Sequence, residues 1–176
     1  MFKVLLISTG GTIEKTYDEF AGVLSNHASV LDVMLGSLEL QGVTITRCPL
    51  MNKDSLEMTE NDHRHIAEVA IDGARSHDGV VIVHGTDRLA RTGEAVWSRW
   101  SQPDAHQKSI VLTGAMRPYE MRRTDAIQNL TEALLAVQIL EAGVYAVMHN
   151  KILKFPDVTK DLVNGTFVKS TTSGST

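Results

Sequence analysis

The chain has 176 residues, 43% hydrophobic and 22% charged, enough for one α/β or α+β domain with a sizeable core and a squeeze for two. A formal net charge of −4, with no block of Lys or Arg, excludes an electrostatic footprint for nucleic acid or an anionic membrane and favours a small metabolite as partner. One cysteine, Cys48, excludes an intrachain disulfide, and no apolar run approaches the roughly 20 residues of a membrane-spanning helix.

The apolar start at 3–8 runs straight into glycines, without the basic region or long apolar stretch of a signal peptide, so a reduced, cytoplasmic protein is expected. This segment is the first of five candidate strands, followed at its end by Thr9-Gly10-Gly11-Thr12. The second, 43–48, leads to Asp54-Ser55. Thr59-Glu60-Asn61-Asp62 then places a capping hydroxyl three residues before an acid, the start of a helix whose face carries Ile66, Val69, Ala70 and Gly73. The third strand, 79–84, ends in Gly85-Thr86-Asp87 and precedes a helix over 89–100. The fourth, 109–113, ends in Gly114-Ala115, with a helix through Ile127, Leu130, Leu134 and Val137 behind it. The fifth, 144–148, is followed by Asp157-Val158-Thr159-Lys160. Alternating βα units with Val/Ile-rich strands predict an α/β fold, a doubly wound, mostly parallel sheet sandwiched by helices in one domain over 1–170, with a polar tail at 171–176.

In such sheets ligands bind beyond the carboxyl ends of the strands, and these five ends carry threonines, a serine, aspartates, a lysine and several glycines. A threonine hydroxyl becomes a useful nucleophile only when a neighbour takes its proton and donors hold the developing oxyanion. Thr12 sits beside Gly10 and Gly11, whose backbone can approach a ligand closely, although a plain tight turn would use the same residues. Thr86, Asp87 and Lys160 offer hydroxyl, carboxylate and amine, the parts of a proton relay; Asp87 alone could instead cap the following helix, and Lys160 alone could be a solvated surface residue.

The segments STGGTIEK at 8–15, VIVHGTDRLARTGEA at 81–95, VLTGAMRP at 111–118 and DVTK at 157–160 resemble, in order, the signatures of the bacterial-type L-asparaginase/glutaminase family. The similarity runs over roughly 3–170, the extent of that family's N-terminal domain. The resemblance implies hydrolysis of L-asparagine to L-aspartate and ammonia through a threonyl acyl-enzyme, without metal or organic cofactor, in a homodimer or homotetramer. It implies Thr12 as nucleophile, Thr86 as the second catalytic threonine, Asp87 as ligand of the substrate amine and Lys160 as the lysine completing that second triad. Gly11, Ser55 and the Ala115 carbonyl fall at substrate-binding positions, Ser55 toward the α-carboxylate and Ala115 toward the side-chain amide. Tyr17 matches the loop tyrosine that bonds to the nucleophile.

Two departures stand out. Leu56 replaces a polar residue next to Ser55, and the resemblance stops before the second domain, from which long enzymes supply an acid to the substrate amine. A short form with an open site or a piece of a longer protein both fit, and the missing acid predicts weak substrate affinity with selectivity for asparagine over glutamine. The competing functions are a non-catalytic asparagine- or aspartate-binding module and a related amidase acting on another amide.

Other signals count for less. His63 and His65, two apart on a helix, point to different faces, share no metal and are expected at the surface. His84 either orients the HGTD turn or is a satisfied structural histidine. Gly10-Gly11 lacks the G-x-G-x-x-G spacing of a dinucleotide site. Trp97 and Trp100 read as core or subunit contacts, and Cys48 as a small buried hydrophobe.

Overall fold

The computed structural model describes residues 1–25 and 29–170, so the polar tail at 171–176 lies outside the described residues. All five expected strands are present: β1 (Phe2–Gly10), β4 (Val43–Lys53), β5 (Gly79–Val83), β6 (Ser109–Thr113) and β7 (Gly143–Met148). They pair in parallel in the order β4-β1-β5-β6-β7, and β8 (Lys151–Lys154) adds an antiparallel edge to β7. The helices are α1 (Leu31–Gly36), α2 (Glu60–Gly73), α3 (Leu89–Trp100) and α4 (Ala126–Ile139). Two small hairpins complete the described chain, β2 (Thr16–Asp18) with β3 (Val23–Ser25), and β9 (Val158–Asp161) with β10 (Thr166–Lys169).

The alternation of side chains along a strand divides the core into two layers. Leu5 and Ile7 of β1 pack with Val80, Ile82, Ile110 and Leu112 under α2 and α3, whereas Val4 and Leu6 pack with Val81, Val83 and Val111 under α1 and α4. Fully burying a Leu, Ile or Val contributes roughly 1.5–3 kcal/mol, so each central strand stabilises both helix layers at once.

Helix α2 begins at the expected capping box: Asp62 N–H donates to Thr59 Oγ1 at 3.3 Å, and Thr59 N–H donates to the Asp62 carboxylate at 2.8 Å. Lys53, at the end of β4, bonds the same carboxylate at 2.8 Å, and that hydrogen bond with the Thr59 amide pushes the Asp62 carboxyl down to about 2.

His63 corrects a surface expectation, for it is buried between α2 and α3 with its Nδ1 2.7 Å from Thr92 Oγ1. The buried stripe of α2 is His63, Ile66, Ala67, Ala70 and Ile71, so helical register overrides the polarity of the ring. His65 is exposed. Cys48 is half-buried against the α2–α3 layer, where Trp97 and Trp100 also pack, with Trp100 Nε1 donating to the Lys108 carbonyl at 3.0 Å.

The chain leaves β1 for β4 on one side and returns for β5 on the other, so strand order reverses between β1 and β5. Open α/β sheets form their ligand crevice outside the carboxyl ends of the strands at such a reversal. The residues that follow β1 and β5 here are Gly11-Thr12 and His84-Gly85-Thr86.

Candidate active site

Thr12 opens a short 3-10 turn over Thr12–Glu14, closed by Glu14 N–H to Gly11 O at 3.2 Å and Lys15 N–H to Thr12 O at 3.1 Å. Two bonds dock this turn: Gly11 N–H donates to Lys53 O at 3.1 Å, and Gly10 N–H donates to the buried Glu14 carboxylate at 3.3 Å. Burial raises the Glu14 pKa despite that bond.

Gly11 lies at φ 84°, in the left-handed region, and a methyl built on it would fall 2.4 Å from the Gly85 Cα and N. A methyl built on Gly85 would in turn fall 2.6 Å from Ser55 Oγ, and one on Gly114 would fall 2.2 Å from the His84 carbonyl. Bare backbone at these glycines therefore lets the loops after β1, β4, β5 and β6 meet around one point.

Ser55 is buried in a turn that Asp54 caps, its carboxylate accepting from Leu56 N–H at 3.1 Å. Lys15 reaches the other Asp54 oxygen at 2.8 Å, and its hydrogen bond is the main cause of the lowered Asp54 pKa. The Ser55 turn is thereby tied to the chain just past Thr12. Leu56 is exposed.

Thr86 is buried, and Lys160 Nζ donates to Thr86 Oγ1 at 2.9 Å and to Asp87 Oδ1 at 2.8 Å. Asp87 is thus engaged by Lys160, while the N-cap of α3 is Arg88 with no side-chain cap. The long step from β7 to Lys160 is bridged by Phe155, whose ring fills the space left by Gly93 of α3 and so places β9 beside the turn that opens α3.

Ala115 is buried, and Met116 N–H and Arg117 N–H donate to the two Asp125 oxygens at 2.9 and 3.0 Å. Because the Ala115–Met116 peptide is planar, fixing its N–H also fixes the direction of the Ala115 carbonyl. Asn129 Nδ2 donates to the Gly114 carbonyl at 2.9 Å and to Asp125 at 2.9 Å, and His149 Nε2 lies 2.7 Å from the same carboxylate.

The structure thus gathers Gly11, Ser55, Thr86, Asp87, Lys160 and the Ala115 loop, with Thr12 half-buried at the head of its turn. Tyr17 is not gathered with them. It is exposed on β2, its N–H donating to Glu120 at 2.5 Å, and its phenol bonds no site residue among the described residues. Asp125 and Asn129, which brace the Ala115 loop, carry no signal in the sequence before their partners are known, and Lys15 and Asp54 stand there only as neighbours of Thr12 and Ser55. No helix among the described residues is long and apolar enough to cross a membrane.

The family pattern "Asparaginase, N-terminal" matches residues 3–169. The L-asparaginase of Thermococcus kodakarensis is 30% identical over 158 residues, which are 90% of this chain and 47% of that protein. A glutamyl-tRNA(Gln) amidotransferase component from Methanosarcina barkeri is 32% identical over 84% of this chain and 34% of its own. Among solved structures, the Thermococcus kodakarensis enzyme superposes with a TM-score of 0.81 at 29% identity, covering 96% of this chain and 51% of that one. A probable cytoplasmic L-asparaginase from Campylobacter jejuni gives a TM-score of 0.73 at 28% identity, with 96% and 52% covered. The chain spans about half the length of the asparaginases it matches and about a third of the amidotransferase component.

Proposed function

The chain belongs to the asparaginase family through that family's N-terminal domain, and from this premise we propose that it is a cytoplasmic L-asparaginase with Thr12 as nucleophile. The observation that carries the reading is the Lys160 ammonium bridging Thr86 Oγ1 and Asp87 Oδ1 beside the switch point that also holds the Thr12 turn. A mere ligand-binding module has no use for a buried hydroxyl paired to a lysine next to a second threonine on a separate loop.

In the proposed reaction the Thr12 Oγ–C bond forms at the substrate side-chain carbonyl and the C–N bond breaks. The Thr12 hydroxyl proton passes to Thr86 Oγ1 as the Thr86 hydroxyl hydrogen passes to the nitrogen that departs as ammonia, and the Lys160 ammonium, which can only donate, steadies the Thr86 oxygen between the two transfers. Water then cleaves the threonyl ester, releasing aspartate and restoring the hydroxyl. Asp87 is assigned to the substrate ammonium, Ser55 to its α-carboxylate, the Gly11 backbone to close approach and the Ala115 carbonyl to the amide N–H groups. Tyr17 keeps its assignment to the nucleophile only if the β2–β3 hairpin closes over the site when substrate binds.

A second reading is an amidase whose amide is carried on a larger molecule, favoured by the several relatives that belong to glutamyl-tRNA(Gln) amidotransferases. Ammonia release from free L-asparagine and free L-glutamine separates the two. Preferential release from asparagine supports the first reading, and no release from either free amino acid supports the second.

A further inference from the structure

Beneath the HGTD turn lies a chain of three buried side chains that the proposed reaction does not use. His84 is fully buried, with Nδ1 2.8 Å from the Gly85 carbonyl and Nε2 2.7 Å from Thr92 Oγ1. Thr92, also fully buried on α3, stands 2.7 Å from His63 Nδ1 on α2. One group fixes every proton in this chain. A carbonyl can only accept, so His84 Nδ1 carries the hydrogen. Burial pushes the His84 imidazole down to about 4, so the ring is neutral near pH 7 and Nε2 is left as an acceptor. Thr92 must then donate its hydroxyl hydrogen to His84 and accept one from His63 Nδ1. The remaining His63 nitrogen, Nε2, is buried without a partner among the described residues.

From this geometry we infer that His63, Thr92 and His84 form a positioning relay, which locks the plane of the Gly85–Thr86 peptide and presents the Thr86 N–H to the substrate. A trans peptide directs its N–H opposite its C=O. With the Gly85 carbonyl held on the buried ring, the Thr86 N–H points away from it, and among the described residues it meets no acceptor. Ser55 Oγ and the Gly11 backbone pack closely against Gly85. Thr86 is thus fixed twice, its hydroxyl by Lys160 and its amide by His84 from below. A donor without an acceptor, held rigid next to the proposed nucleophile turn, suits an oxyanion that develops only during reaction, so misaligning it lowers turnover more than affinity. This relay rests on the amidohydrolase reading given above.

The test is Thr92→Val, which keeps the buried shape and removes the hydroxyl that ties His84 Nε2 to α3 and, through it, to His63. Imidazole ¹⁵N and ¹³C shifts of the histidine-labelled protein near pH 7.5 are expected to show His84 as the Nδ1–H tautomer in the wild type, and in the variant a displaced Nε2 resonance from the lost hydrogen bond together with a displaced Thr86 amide resonance. On L-asparagine, kcat should fall about tenfold or more with KM within about threefold, and Thr92→Ser should recover kcat to within about twofold. An Nε2–H tautomer in the wild type overturns the inference even if the variant does not fold. An unchanged kcat in a folded Thr92→Val, or a loss that Thr92→Ser does not recover, overturns it as well. A wild type that releases no ammonia defeats the amidohydrolase reading alone, and the tautomer and the Thr86 amide then decide the relay.

Discussion

Lys160 gives its ammonium to two acceptors, yet little of the fold depends on it. Asp87 is 42% exposed, and ion pairs in such settings contribute about 1 kcal/mol or less. Lys160→Met is therefore expected to leave the melting temperature within a few degrees while turnover drops by about a hundredfold or more, checked by calorimetry beside an ammonia assay. Equal loss of both would assign the lysine to structure. His84 carries the opposite balance. Its folded-state pKa is depressed to about 4, so between about 6.5 and 4 the unfolded chain binds more protons, and stability falls as pH falls through that window. The effect is on the order of 3 kcal/mol at most. Glu14, raised by burial, acts in the other sense, so the comparison must be internal: denaturant unfolding at pH 7.5 and 4.5 should show a smaller loss for His84→Gln than for the wild type. A loss of equal size would remove the imidazole from the account of acid sensitivity. At this scale Thr12, Ser55, Thr86, Asp87 and Lys160 were legible because chemistry-bearing residues stood directly after predicted strands or in a matching motif. His63 was not, because a polar ring in the buried stripe of a helix is visible only once its partner Thr92 is known.

Among the elements, α3 and β9 show how packing sets the site. Gly93 faces the Phe155 ring, and an added methyl would lie 1.9 to 2.5 Å from its carbons. The ring would have to move, and β9 with it. Gly93→Ala is expected to destabilise the protein by about 1–3 kcal/mol, as overpacking does, and to lower turnover further than that loss of folded protein explains, since Lys160 rides on β9. Denaturant midpoints and kcat of the folded fraction check this, and a silent substitution would show that Phe155 does not set the lysine. The five parallel strands and three longer helices were readable from Val/Ile runs and three-to-four spacing. Helix α1, the two hairpins and β8 were not, being only three to six residues long, too short for a period to emerge. The position of Lys160 on a hairpin strand, and not in a loop, follows from that same shortness.

For the whole molecule, the outer face of α4 and the neighbouring edge leave Leu135, Ile139 and Ile152 at least half exposed. Lysines 151 and 154 on β8 discourage edge-to-edge strand pairing, so the helix face is the better surface for association. The 176-residue chain is expected to sediment as a dimer or larger at micromolar concentration, with Leu135→Glu shifting it toward monomer. A monomer throughout would mean that this face needs no cover. The Thr12 hydroxyl is proposed as the nucleophile, on a turn whose Gly11 packs backbone to backbone against Gly85. Ammonia release from L-asparagine by the wild type and by Thr12→Ala tests it most directly. Turnover in the wild type and a loss of about a thousandfold or more in a variant of unchanged secondary structure are expected, whereas near-normal release by Thr12→Ala would place the nucleophile elsewhere.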